Sequence, residues 1–97
     1  MPPRRELLSA PEVAAALVQL PGWQAREGAL VREFLFVDFV GAWGFMAQVA
    51  LIAESLDHHP NWSNVYNRVS IDISTHDRGG ITALDVEFAR RVGAITG

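Results

Sequence analysis

From Phe39 to Ala53 only one side chain, Gln48, is polar, and no other feature limits the architecture as strongly. Asp38, just before this run, is placed to cap a helix that continues to about Leu56. At 3.6 residues per turn that helix has two apolar stripes. Phe39, Trp43, Met46, Ala50 and Ala53 form one, and Ala42, Phe45, Val49, Ile52 and Leu56 form the other. A helix apolar nearly all round needs cover on more than one side. The 15 residues fall short of the roughly 18 to 20 that cross a bilayer, so the expectation is a buried helix and not an anchor. In a chain of 97 residues one sheet can cover one side, and a second subunit is expected over part of the rest.

The flanking segments supply that sheet. Ser9-Ala-Pro11-Glu12 reads as a capped helix start, with Val13, Leu17 and Leu20 as the buried stripe and Pro21-Gly22 as the stop. Trp23 to Arg26 and Leu30 to Val37 look extended and meet at Glu27-Gly28, where glycine supplies the positive φ of a tight hairpin. Val65, Val69, Ile71 and Ile73 alternate with Tyr66, Arg68, Ser70, Asp72 and Ser74, which reads as a strand with one wet face. After the turn Asp77-Arg-Gly79-Gly80, Ile81 begins a short returning strand. Thr82 with Asp85 then forms a capping box for a last helix, whose buried stripe is Leu84, Phe88, Val92 and Ile95. The order is α-β-β-α-β-β-α. It predicts an α+β fold for residues 1–97 as a single domain, a four-stranded, largely antiparallel sheet with helices packed on one face.

Composition removes several classes of function. Hydrophobic residues at 49% against 20% charged give a folding chain, and a net charge of −3 offers no footprint for a nucleic-acid backbone. Met1 to Arg5 holds two prolines and two arginines without the apolar stretch of a secretory signal, and there is no cysteine. A cytoplasmic location is expected, with no nucleic acid and no membrane among the partners.

Chemistry concentrates in two strings, Glu54-Ser-Leu-Asp-His58-His59-Pro60 and Ser74-Thr75-His76-Asp77, which hold all three histidines. Histidine gives and takes protons near neutrality. Pro60 disfavours a helical His59, so the central helix should end within Asp57-His58-His59, where its dipole favours an imidazolium. Glu54 and His58, four apart, fall on one helix face. Plainer readings compete: a surface histidine pair, a Glu54/His58 ion pair, Asp85 as a cap only, Trp62 and Tyr66 as packing. A zinc or iron site is the sharper rival. Adjacent side chains such as His58 and His59 diverge, however, and the order of two histidines four apart around a glutamate is absent, so no metal is expected.

Taken together, Glu54-x-x-x-His58-His59-Pro60-x-Trp62-x-x-x-Tyr66-Asn67-x-Val69-x-Ile71, then Thr75-His76-Asp77, Gly80, Thr82 and Asp85, closely resembles the signature of pterin-4a-carbinolamine dehydratases. Gly22-Trp23, Phe34-x-Phe36 and Phe39-x-x-Ala42-Trp43-x-Phe45-Met46 extend the resemblance over about residues 20 to 90; Ser55 and Asp57 depart mildly. The resemblance implies loss of water from 4a-hydroxytetrahydrobiopterin to give quinonoid dihydrobiopterin, with neither cofactor nor metal, in a homodimer or homotetramer. It further implies His58 and His76 as acid and base, and His59 and Trp62 against the pterin. Glu54 and Asp85 would orient histidines, and the backbone of Ser74 and Thr75 would pair with the pterin edge. Vertebrate relatives also serve as dimerisation cofactors of a transcription factor, so a non-catalytic scaffolding role is the alternative.

Overall fold

The computed structural model describes residues 6–96; the Met1 to Arg5 segment lies outside the described residues. The elements are α1 (Ala10–Val18), β1 (Gln24–Arg26), β2 (Ala29–Leu35), α2 (Phe39–Leu56), β3 (Asn61–Val65), β4 (Arg68–Ile73), a 3-10 turn (His76–Arg78) and α3 (Ala83–Ile95). The sheet order is β1-β2-β4-β3 with every pairing antiparallel, which is the α-β-β-α-β-β-α arrangement expected.

Helix ends follow the chemistry of their caps. Ser9 and Glu12 form the reciprocal capping box of α1, and Asp38 accepts the Gly41 N–H at 2.9 Å to open α2. α1 stops at Val18, two residues early, yet Leu20 is still buried beyond it. At the far end of α2, Asp57 takes the left-handed conformation at φ 49°. Its N–H then reaches the Glu54 carbonyl while the His58 N–H reaches that of Ala53 at 3.0 Å, the paired bonds that close a helix over a left-handed residue.

One strand was placed wrongly by the alternation pattern. The polypeptide reverses at Tyr66-Asn67, with Tyr66 at φ 50°, so the fourth strand is Asn61–Val65 and not a return through Ile81. Val65 pairs with Arg68, and cross-strand partners share a face, so Val65 lies on the open face at 62% exposure while Val69 is fully buried. A two-residue turn inverts parity, so Val65, which keeps even spacing with Val69, Ile71 and Ile73 in the sequence and reads there as part of one strand, falls on the opposite face of the sheet. Around Ile81 the described residues make two isolated bridges, Thr75 with Gly80 and Leu7 with Thr82.

The core joins Leu30 and Phe34 of β2, Val69, Ile71 and Ile73 of β4, the Ala42, Phe45, Val49 and Ala53 stripe of α2, and Phe88, Ala89 and Val92 of α3. Val31, Glu33, Ser70 and Asp72 alternate onto the other face of the sheet. α2 therefore buries one of its two stripes. By length and composition α2, at 18 residues, could cross a bilayer, but its buried stripe packs on a sheet as a core helix does. The other stripe is covered only in part within the described residues: Ala53 is buried and Met46 packs against the core, but Phe39 is 48% and Trp43 60% exposed.

Glu87 ties α3 together and, through Arg91, reaches α2. It accepts from Arg90 at 3.0 and 2.5 Å and from Arg91 at 2.7 Å, while Arg91 contacts Ser55 at 3.5 Å. The Arg90 bond above all, opposed by burial and helped by Arg91, lowers the Glu87 pKa to about 2. A carboxylate with a depressed folded pKa stabilises the protein above its unfolded value near 4.5 and ceases to do so as pH falls towards 2. Thermal melts of Glu87→Gln should therefore lose less stability than wild type between these pH values; parallel curves would contradict this.

Candidate functional site

The site is assembled where α2 ends, β4 ends and α3 begins. Because the left-handed Asp57 turns the chain out of α2, His58 is directed back into the protein and is 7% exposed. Its Nε2 lies 2.5 Å from Oδ1 of Asp85, a carboxylate that is wholly buried. Asp85 is in the first turn of α3, and its Oδ2 accepts the Thr82 N–H at 2.8 Å as the reciprocal half of the capping box. Oδ2 also accepts the Thr75 hydroxyl at 2.9 Å, and Thr75 in turn lies 2.8 Å from the Thr82 hydroxyl. One carboxylate thus caps a helix, holds a histidine and anchors the residue before His76. Asp85 is both the helix cap and the hydrogen-bond partner of His58.

An ionised carboxylate only accepts hydrogen bonds, so the Nε2 of His58 carries the hydrogen and Nδ1 is left for proton exchange. The donors are consistent along the chain: Thr82 hydroxyl to Thr75, Thr75 hydroxyl to Asp85, His58 to Asp85. Burial without such partners would be costly for each of these groups.

The other candidates divide around this centre. His59 faces away from His58 and bonds Glu54 at 2.9 Å, with the two side chains 57% and 81% exposed. The helix-face pair expected between Glu54 and His58 is therefore replaced by Glu54 with His59, because the left-handed turn at Asp57 takes His58 off the helical path. An ion pair this exposed contributes about 0–1 kcal/mol. His76 lies just beyond β4, exposed, and opens the 3-10 turn. Pro60 is half-buried ahead of β3, and Ser74 is half-buried after β4. Trp62 packs partly against the core and, with Asn61 and Asp72, also lines a depression of about 680 Å³ on the sheet.

The expectation for Thr75 needs correction. Its N–H donates to the Gly80 carbonyl at 2.8 Å and its own carbonyl accepts from Arg78 and Gly79, at 3.0 and 2.9 Å. With its backbone spent on the tight turn, Thr75 cannot pair with a ligand edge as a strand would. Its hydroxyl acts instead, through Asp85. The Thr75–Thr82 contact was missed from sequence, since two threonines seven apart carry no signal until the chain turns at Gly79-Gly80. Among the described residues no three His, Asp or Glu side chains gather as a metal-holding group, and adjacent His58 and His59 do diverge, towards different carboxylates.

Fold and site together define an α+β domain with a helix-backed antiparallel sheet and a buried histidine–aspartate pair at the junction of two helices. Residues 6–95 match the family profile described as Pterin 4 alpha carbinolamine dehydratase. The chain belongs to the pterin-4a-carbinolamine dehydratase family. A relative from Rhodopseudomonas palustris (strain BisB18), named for this dehydratase, is 58% identical over 83 residues, covering 84% of this chain and 82% of the relative. One from Brucella ovis is 50% identical over 95 residues, 96% and 98% of the two chains. The crystal structure of a transcriptional coactivator/pterin dehydratase from Brucella melitensis superposes with a TM-score of 0.90 at 50% identity, covering 93% of this chain and 98% of that one. A pterin dehydratase-like protein described as a RuBisCO assembly factor in the alpha-carboxysome gives a TM-score of 0.64 at 25% identity, over 77% and 87%.

Proposed function

We propose that this chain is a 4a-hydroxytetrahydrobiopterin dehydratase, a hydro-lyase in pterin cofactor recycling. The observation that carries the reading is the shared carboxylate of Asp85, which holds the buried His58 on one oxygen and the residue preceding His76 on the other. In the reaction the bond from C4a to its hydroxyl breaks, the departing oxygen takes a proton to leave as water, and a ring nitrogen gives one up. The product is quinonoid dihydrobiopterin. No electrons move in or out, so the elimination calls for a general acid and a general base and for no redox cofactor.

His58 and His76 are the proposed acid and base. Asp85 holds the Nε2–H of His58, so that its Nδ1 is presented in a fixed orientation, the arrangement by which a carboxylate orients a catalytic imidazole elsewhere. His59, oriented by Glu54, and Trp62 bear on the pterin in this reading, with Pro60 setting the exit from α2 and Ser74 beside the ring. A cytoplasmic location goes with it. The test is direct: purified protein added to freshly generated 4a-hydroxytetrahydrobiopterin speeds formation of quinonoid dihydrobiopterin, and a rate equal to the uncatalysed one sinks the proposal.

A second reading, a dimerisation or scaffolding cofactor, is favoured by the exposed stripe of α2, where Phe39, Val40, Trp43 and Leu51 present large apolar side chains. Either reading puts a second copy of this chain over that stripe, as a homodimer or homotetramer. Trp43→Glu is expected to shift the mass measured by light scattering at micromolar concentration down to that of one chain. A wild-type protein already of one-chain mass would remove the prediction.

A further inference from the structure

Thr75 stands at the N-cap of the 3-10 turn that begins with His76, and a threonine in such a place ordinarily turns its hydroxyl onto the N–H groups of its own turn. Here it does not. No side-chain bond caps the turn, and the Arg78 and Gly79 N–H groups donate to the Thr75 carbonyl. The hydroxyl is spent elsewhere, 2.9 Å from Oδ2 of Asp85 and 2.8 Å from the Thr82 hydroxyl. Thr75 is 1% exposed, so water does not substitute for either bond.

The hydrogens run one way along this chain. An ionised Asp85 only accepts, so Thr75 gives its hydrogen to the carboxylate and takes the one from Thr82, whose oxygen already accepts the Leu84 N–H at 3.2 Å. Oδ2 is thereby engaged by the Thr75 hydroxyl and the Thr82 N–H, and Oδ1 is left to His58. The Thr82 bond is local to the start of α3. The Thr75 bond crosses to the segment that carries His76, so two hydrogen bonds and one peptide link join the His58 ring to His76.

We propose that Thr75 is a positioning residue, whose hydroxyl fixes the Asp85 carboxylate and through it sets the ring of His58 relative to His76. The effect on rate rests on the dehydratase reading; the link itself does not. An acid and a base that serve one substrate must be held in register, and a misplacement of about 1 Å can cost up to about a hundred-fold in rate. Buried partners locked by their own bonds hold such groups in place.

Thr75→Val keeps the shape of the side chain and removes the bond, Thr75→Ser keeps the hydroxyl, and Thr75→Cys keeps a weak donor. All three leave the backbone bonds of the turn in place. The Nε2–H resonance of His58, followed by nitrogen-correlated NMR, is expected to move in Thr75→Val and to stay near its wild-type position in Thr75→Ser. Thr75→Cys should fall between them, and it takes the place of valine if that variant does not fold. At a temperature where circular dichroism shows the variants folded, kcat should drop about tenfold in Thr75→Val, with KM within about two-fold, and recover in Thr75→Ser. In an Asp85→Asn background Thr75→Val should cost less than about two-fold more, because the route it acts through is already cut. A His58 resonance unmoved by valine, a serine variant as slow as the valine one, or a fully additive loss with Asp85→Asn would each overturn the proposal. An inactive wild type whose His58 resonance still answers to valine and serine in this way would sink the dehydratase reading and uphold the link.

Discussion

His76→Ala is expected to lower dehydratase turnover by about a hundred-fold or more, the usual scale for one acid/base group, with the melting temperature unchanged. The combination is what makes the experiment informative. His76 is exposed and sits at the first position of a short 3-10 turn whose bonds are made by the backbone, the Arg78 and Gly79 N–H groups donating to the Thr75 and His76 carbonyls. Removing its ring leaves those bonds in place and opens no cavity, so any large loss of rate belongs to chemistry and not to folding. His59→Ala, by contrast, removes an exposed partner of Glu54 and is expected to raise KM more than it lowers kcat. A His76→Ala protein that turns over at the wild-type rate would remove His76 from the mechanism.

Asp85→Asn is expected to damage both stability and rate. The carboxylate accepts from three donors, the His58 ring, the Thr75 hydroxyl and the Thr82 N–H, at full burial. An amide in its place turns one of the two oxygens into a donor, which faces the Thr82 N–H if set towards the α3 cap and the Nε2–H of His58 if set towards the ring, the second clash being relieved only by a change of tautomer. One such mismatch costs about 1–3 kcal/mol, and weakening of the α3 cap adds about 1 kcal/mol. With its acceptor lost, the His58 ring is free to take the other tautomer, and turnover is expected to fall about a hundred-fold or more. Because a structural role alone would also destabilise the protein, the deciding readout is the ring-nitrogen NMR of His58. A positioning role shifts the tautomer from Nε2–H in the variant at temperatures where it remains folded. An unchanged tautomer with an unchanged rate would leave Asp85 as a helix cap alone.

Serial contacts were legible in the sequence because they are local. A capping box needs residues three apart, and both Ser9 with Glu12 and Thr82 with Asp85 form as written. Helix periodicity likewise located the buried stripe of α2 and, except for Ile95, which is exposed at the helix end, the buried side of α3, and Pro60 with the Asp57-His58-His59 string located the end of α2. The spacing of the whole motif was enough to read the family, which the family profile over residues 6–95 bears out. The hairpin at Tyr66-Asn67 was not legible, because it contains no glycine or proline to mark the turn, and Val65 keeps even spacing with the buried valine and isoleucines although the turn puts it on the other face.

What the chain determined by itself is therefore the kind and order of its elements, since caps, periods and breakers act over a few residues. Which histidine is buried, which carboxylate it meets, and that Glu54 turns to His59 were decided only in three dimensions. Asp85 is 27 residues from His58 and 10 from Thr75. No local rule links such separations. They meet because the antiparallel pairing of β3 with β4 returns the chain to the end of α2, and because a buried carboxylate must collect every donor within reach to offset its loss of water.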